Sequence, residues 1–134
     1  MALRVAWLVV DSADPATLAR WWMEALDDYE IEYDSATDPE ADPGDPEVVI
    51  KGSSGHRMLF GKVPEAKTIK NRLHLDLRPE DRDAEVARLE GLGAKRVDIG
   101  QGDDKSWVVL ADIEGNEFCV LRALDPEEKA AGVA

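Results

Sequence analysis

One order of secondary-structure elements, a strand followed by a helix and three further strands, is predicted twice along this chain. Apolar residues at alternate positions or in short runs predict the strands, and apolar residues at helical spacing predict one helix in each half. The first half has predicted strands at 3–10, 31–33, 48–51 and 58–63, with a helix that begins at Asp14 and Pro15. The second half has predicted strands at 72–78, 96–99, 107–111 and 117–121, with a helix that begins near 79–81. The repetition predicts an α+β fold of two βαβββ modules, at about residues 3–63 and 72–122.

Each predicted helix carries an apolar stripe and recognisable end signals. The stripes are Leu18, Ala19, Trp22, Ala25 and Leu26 in the first helix and Val86, Leu89 and Leu92 in the second. Asp14 is a suitable N-cap, and Pro15 follows where a helix needs no amide. Gly93 comes after the second helix, where a left-handed residue commonly ends it. We expect each helix to cover one face of its sheet, so that the other two faces can curl around a shared cleft.

The length of 134 residues predicts a single domain that spans residues 1–134 and buries its own core. Residues 34–46 combine prolines, a glycine and several acidic side chains, which predicts a loop that is mobile or acts as a flap over the cleft. The tail at 125–134 is expected to be frayed.

The charge balance argues against one class of partner. The chain has 16 basic and 29 acidic residues and a formal net charge of −13. Nucleic-acid binding requires clustered lysines and arginines that neutralise phosphates, so we predict no nucleic-acid partner. The negative charge either serves solubility alone or favours neutral and cationic ligands through its long-range field.

Three features predict a cytoplasmic protein without a membrane partner. No apolar run approaches the roughly 20 residues of a membrane span. The apolar N-terminus lacks the basic region and the small-residue cleavage site of a signal peptide. Cys119 is the single cysteine, so an internal disulfide framework is excluded.

Two pairs of polar side chains share predicted strand faces. In the stretch "NRLHLDL", leucines alternate with His74 and Asp76, so these two side chains project side by side. Three interpretations of this pair are open: the remnant of a metal site, a working acid/base pair, or polar groups on a solvated strand face. Glu117 and Cys119 share a face of the last predicted strand. Glu117 is either a site carboxylate or a solvated turn residue, and Cys119 is either a functional thiol or a small core residue.

Three segments together resemble the vicinal oxygen chelate superfamily, and in particular glyoxalase-like domain proteins of actinobacteria. They are "SADPATLARWWMEAL", "MLFGKVPEAKTIKNRLHLDL" and "WVVLADIEGNEFCVL". The superfamily includes glyoxalase I, bleomycin-resistance proteins and extradiol dioxygenases. The resemblance covers roughly residues 3–122 and implies two βαβββ modules around a ligand cleft.

The resemblance also implies where a metal ion would bind. Metal-using members hold one divalent ion with four strand positions, which fall here at Trp7, near Gly61, at His74 and at Cys119. Only His74 is a conventional ligand, and Cys119 is a softer one. The sequence therefore predicts that the usual metal site is absent and that no cofactor is bound.

The preferred function is binding of a small organic ligand in a cleft lined by Trp7, Gly61, His74, Asp76, Glu117 and Cys119. One alternative is a metal-dependent lyase, isomerase or dioxygenase that uses His74 with Glu117 or Cys119. Another is a protein that sequesters a cationic drug, as bleomycin-resistance proteins do. Because members of the superfamily commonly pair, a homodimer is also expected.

Overall fold

The computed structural model describes residues 2–97 and 106–134, and the chain divides into two compact units at residues 1–66 and 67–134. The elements of the first unit are β1 (Leu8–Ser12), α1 (Pro15–Ala25), β2 (Tyr29–Asp34), β3 (Glu47–Gly52) and β4 (Arg57–Lys62). Its sheet has the order β1-β4-β3-β2. β1 runs parallel to β4, and the other neighbours are antiparallel.

The second unit repeats this arrangement. Its elements are β5 (Asp76–Leu77), α2 (Arg82–Gly91), β6 (Lys95–Arg96), β7 (Val108–Ala111), β8 (Glu117–Val120) and a further helix, α3 (Pro126–Ala130). The sheet order is β5-β8-β7-β6, again with the first strand parallel to the last. The predicted pair of βαβββ modules is therefore confirmed. Among the residues described, no helix is long and apolar enough to cross a membrane.

Both module helices begin where the sequence predicts. The Asp14 carboxylate accepts a hydrogen bond from the Thr17 amide, and the Asp81 carboxylate accepts one from the Ala84 amide. Gly93 follows α2 with a φ of +108°, a conformation that glycine adopts at little cost. The predicted stripe residues Leu18, Ala19, Trp22, Ala25, Val86 and Leu89 are buried, whereas Leu26 and Leu92 are half-buried.

The first strand of each unit is shorter than predicted. β1 begins at Leu8 rather than at residue 3, and Leu3 and Val5 are exposed. Leu8 pairs with Met58, next to the start of β4, so the residues before Leu8 run past the end of their partner strand. β5 contains only Asp76 and Leu77.

The leucine face predicted over 72–78 is only partly buried. Leu75 and Leu77 are half-buried, but Leu73 is 82% exposed. The alternating pattern predicts which side chains share a strand face. It does not predict whether another element packs against that face and buries it. The strand predicted over 96–99 appears as β6 at Lys95–Arg96, and residues 98 and 99 lie outside the described residues.

The tail differs from the frayed segment that was predicted, because residues 126–130 form α3. Asp125 and Glu128 make a reciprocal capping box at the start of this helix. Both carboxylate oxygens of Glu128 accept hydrogen bonds of 2.7 Å from the Arg122 guanidinium. Arg78 donates a further bond to the carbonyl of Ala134, which holds the end of the chain against the second unit.

Candidate functional site

The second unit contains a pocket of about 440 Å³, here called the second-unit pocket. Its lining comprises an apolar wall of Trp107, Val109 and Leu121 and a polar group of Lys70, His74, Asp76, Glu117 and Cys119. Strand alternation explains the part of this set that comes from β7 and β8. Residue 109 lies on β7 two positions after residue 107, which precedes the strand, and residues 117, 119 and 121 share one face of β8 and its continuation. The intervening Leu110, Phe118 and Val120 are buried.

His74, Asp76 and Cys119 lie together in this pocket. Asp76 is directly opposite Cys119 in the parallel ladder between β5 and β8. The Nε2 atom of His74 is 3.3 Å from Oδ1 of Asp76. One nitrogen, oxygen or sulfur atom from each of the three side chains lies within 4.8 Å of the other two. The predicted side-by-side arrangement of His74 and Asp76 is confirmed, and the structure adds Cys119 to it.

The Cys119 thiol is a poor nucleophile in this environment. Burial raises its pKa to about 11, and the nearby Asp76 carboxylate contributes in the same direction. A thiol with such a pKa is almost entirely protonated near neutral pH. Cys119 is therefore unsuited to nucleophilic catalysis on its own.

Glu117 is engaged in holding a connecting segment. Its carboxylate lies 2.8 Å from the Lys67 ammonium and also accepts a hydrogen bond from the Asn71 amide. Burial alone would raise the pKa of Glu117, but the hydrogen bonds from Lys67 and from backbone amides together lower it. The Lys67–Glu117 ion pair thus joins the segment before β5 to β8, at the edge of the second-unit pocket.

Two predicted cleft residues, Trp7 and Gly61, belong to the first unit. Trp7 precedes β1 and is 47% exposed, and Gly61 lies on β4 opposite Asp11. The structure therefore brings together His74, Asp76, Glu117 and Cys119 within one unit, and the wider cleft that includes Trp7 and Gly61 stays a prediction.

Sequence reasoning did not select Lys70, Trp107, Val109 or Leu121 as site residues, although all four line the second-unit pocket. For Leu121, the period-2 pattern that includes Cys119 was the available signal, whereas Val109 comes next to Cys119 only through the register of β7 and β8. Lys70 lies in the irregular segment before β5, where no sequence pattern gives the direction of a side chain.

The comparisons with known proteins identify the family. A family model described as a glyoxalase-like domain matches residues 7–121. The chain belongs to the glyoxalase-like domain family. The predicted membership of the vicinal oxygen chelate superfamily is confirmed. A search of curated proteins finds no match.

Solved structures share the fold of this glyoxalase-like domain at low sequence identity. The fosfomycin resistance protein FosX from Mesorhizobium loti is 16% identical with a TM-score of 0.68, over 97% of this chain and 99% of that one. A mutant of FosX from Listeria monocytogenes, solved with Mn(II) and dihydroxypropylphosphonic acid, is 12% identical with a TM-score of 0.69, over 97% and 99%. The trypanothione-dependent glyoxalase I of Leishmania major is 13% identical with a TM-score of 0.65, over 98% and 94%. These likenesses establish the fold alone.

The resemblance assigns the metal ion of the superfamily to Trp7, Gly61, His74 and Cys119, and this assignment stays a prediction. Trp7 has no ligand atom and Gly61 has no side chain. The strand register gives a different residue for the first position. Gly61 lies opposite Asp11, and Cys119 lies opposite Asp76. If Gly61 corresponds to Cys119, then Val9, two residues before Asp11, takes the strand position of His74. Valine cannot bind a metal either. A hard divalent ion prefers several oxygen ligands, which these positions do not supply.

Proposed function

We propose that this glyoxalase-like domain binds a small organic molecule in the second-unit pocket, without the four-ligand metal site usual in its superfamily. The supporting observation is a pocket of about 440 Å³ with one apolar wall and one polar side. Small-molecule sites typically have volumes of roughly 300–1,000 Å³ and mostly apolar linings with a few polar groups that fix orientation.

Each side of the pocket has a distinct role in this proposal. Trp107, Val109 and Leu121 bury the apolar part of the ligand, and the indole ring adds a stacking surface. His74 offers its imidazole ring, whose side chain is 39% exposed, and Lys70 offers an ammonium group. Glu117 contributes indirectly, because its bonds to Lys67 and Asn71 hold the segment that carries Lys70.

A thermal-shift screen followed by calorimetry tests this function. The screen uses small aromatic and aliphatic acids, amides and amines, and hits are titrated into the wild type and into Leu121→Trp. We expect a hit to raise the melting temperature of the wild type and to lose affinity for Leu121→Trp, since the larger side chain fills the pocket. Leu26→Trp, at a half-buried position after α1, is the matched control.

The screen also separates the alternatives. A preference for bulky aromatic cations would favour the drug-sequestering function. A hit that binds wild type, Leu121→Trp and Leu26→Trp equally would show that the ligand site lies outside the second-unit pocket.

We also propose that the protein is a homodimer. Leu3, Val5, Trp7 and Val9 are large apolar side chains that the single chain leaves exposed. A second copy would remove such surface from water, and symmetric pairing is the commonest form of assembly. Light scattering that gives a monomer mass across the micromolar range would reject this proposal.

A cytoplasmic location is proposed from the cysteine content. Cys119 is the single cysteine and its thiol is free and buried. Proteins of oxidising compartments commonly use paired cysteines as disulfides. Fractionation of cells that express the tagged protein would test the location, and recovery outside the cytoplasmic fraction would contradict it.

A further inference from the structure

We propose that His74, Asp76 and Cys119 together bind one thiophilic divalent cation of the zinc type within the second-unit pocket. This site shares His74 and Cys119 with the four superfamily positions, but its third ligand is Asp76, which is not one of them, and all three ligands belong to the second unit. It also revises the expectation of a pocket without a metal ion, which considered only the four superfamily positions.

The distances are compatible with shared coordination. Ligand atoms at the usual zinc distances of about 2.0–2.3 Å lie about 3.3–3.8 Å apart in a tetrahedral arrangement. The His74 Nε2 to Asp76 Oδ1 distance of 3.3 Å falls in this range. All three ligand atoms lie within 4.8 Å of one another, and a shared ion would draw them into this range.

The backbone fixes these three positions relative to one another. Asp76 and Cys119 are register partners in the β5/β8 ladder, and the Cys119 amide donates a 2.9 Å hydrogen bond to the Leu75 carbonyl. His74 precedes Asp76 by two residues on the extended segment. A site built on a strand ladder needs little reorganisation when the ion binds.

The donor types decide which ion is favoured. One sulfur, one imidazole nitrogen and one carboxylate oxygen suit zinc, whereas Mn(II) prefers oxygen ligands. The FosX mutant from Listeria monocytogenes was solved with Mn(II). We infer that the present site prefers zinc to Mn(II), because one of its three ligand atoms is a sulfur. Three protein ligands would leave a fourth position for a water molecule or a bound ligand.

Metal titration of the chelator-treated, full-length protein tests the proposal. We expect one equivalent of zinc to bind and to raise the melting temperature. Cobalt(II) should bind at the same site and give a sulfur-to-cobalt charge-transfer band in the near ultraviolet together with the strong visible bands of tetrahedral cobalt. Failure to bind zinc, or a cobalt complex without the sulfur band, would overturn the proposal.

Variants test each ligand separately. His74→Ala, Asp76→Asn and Cys119→Ser should each weaken zinc binding by about tenfold or more, while His56→Ala, which removes an exposed histidine of the first unit, should not. Zinc binds more tightly than manganese to most sites, so the decisive quantity is the ratio of the two affinities, which should fall in Cys119→Ser.

An unchanged ratio in a folded Cys119→Ser variant would contradict the role of the thiol. Circular dichroism checks folding, and if this variant does not fold, the cobalt spectrum of the wild type decides. Binding of an organic hit to the chelator-treated protein is measured in parallel. The proposed function and the metal site can therefore fail independently.

Discussion

Asp76 lies directly opposite Cys119 in the parallel ladder between β5 and β8. The pairing places a half-exposed carboxylate next to a buried thiol. The carboxylate disfavours the thiolate in the absence of a cation, and it would also attract a cation to the same place. His74 joins the pair because it precedes Asp76 by two residues. This one register relationship therefore determines much of the chemistry of the second-unit pocket.

Cys119 should react slowly with thiol reagents. Burial and the Asp76 carboxylate raise its pKa to about 11, so chelator-treated folded protein should be alkylated by iodoacetamide at pH 7.5 far more slowly than urea-unfolded protein. Asp76→Asn should increase the rate in the folded state, because it removes a negative charge next to the thiol. Mass spectrometry follows the reaction. Equal alkylation rates for folded and unfolded protein would show that the fold neither shields the thiol from the reagent nor raises its pKa.

The Lys67–Glu117 ion pair should contribute to the stability of the second unit. Glu117→Ala leaves the Lys67 ammonium and the Asn71 amide without this acceptor, so we expect a loss of about 1–3 kcal/mol in the free energy of unfolding. Urea denaturation measures it. Glu80→Ala, at an exposed position before α2, is the control. A loss no greater than that of the control would contradict the structural role of Glu117.

The docking of α3 should depend on pH. The Arg122 guanidinium first, and then the Asp125 amide, lower the pKa of Glu128 from 4.5 to about 2. Because the pKa of Glu128 is lower in the folded state, the ionised carboxylate stabilises the folded α3. This stabilisation is complete above about pH 4.5 and is lost as the pH falls toward 2. Resonances of residues 126–130 should shift toward unfolded values in that window. Arg122→Met should move the transition up toward pH 4.5, and an α3 that is unchanged at pH 2 would reject this interpretation.

The acidic loop should exchange its amide protons quickly. Within residues 34–46, all of which the structure describes, the only helical element is a 3-10 turn at Ser35–Thr37. The Glu40 and Gly44 amides donate to the side chains of the half-buried Asp38 and the exposed Asp42 rather than to a sheet. Hydrogen exchange by mass spectrometry tests this expectation. Protection of residues 38–46 comparable to that of β3 would contradict it.

The sequence predicted those features that local chemistry determines. Asp14 and Asp81 fix the starts of α1 and α2, and the repeated order of elements gave both modules. The extents of β1 and β5 were wrong because strand length depends on the partner that the chain meets in the sheet. α3 was missed, although Asp125 and Glu128 have the spacing of a capping box.

The candidate site was partly predictable for the same reason. Alternation placed His74 with Asp76 and Glu117 with Cys119, but it does not reveal which strands become neighbours. The β5/β8 register joins the two pairs. The registers of the two units also show that the connection from the first strand to the helix is two residues longer in the second unit. In the first unit, Asp11 precedes the N-cap residue Asp14 by three residues. In the second unit, the equivalent Asp76 precedes the N-cap residue Asp81 by five. The register therefore gives Val9 as an alternative to Trp7, and the assignment of Trp7 through the superfamily resemblance stays a prediction.

The most direct test of ligand binding in the second-unit pocket is amide chemical-shift mapping by NMR with a hit from the ligand screen. We expect the largest saturable shifts at residues 74–77, 107–109 and 117–121, and their loss in Leu121→Trp. Additional shifts at Trp7 and Gly61 would support the wider predicted cleft. Saturable shifts confined to residues 2–66, or retained in Leu121→Trp, would contradict the proposed site.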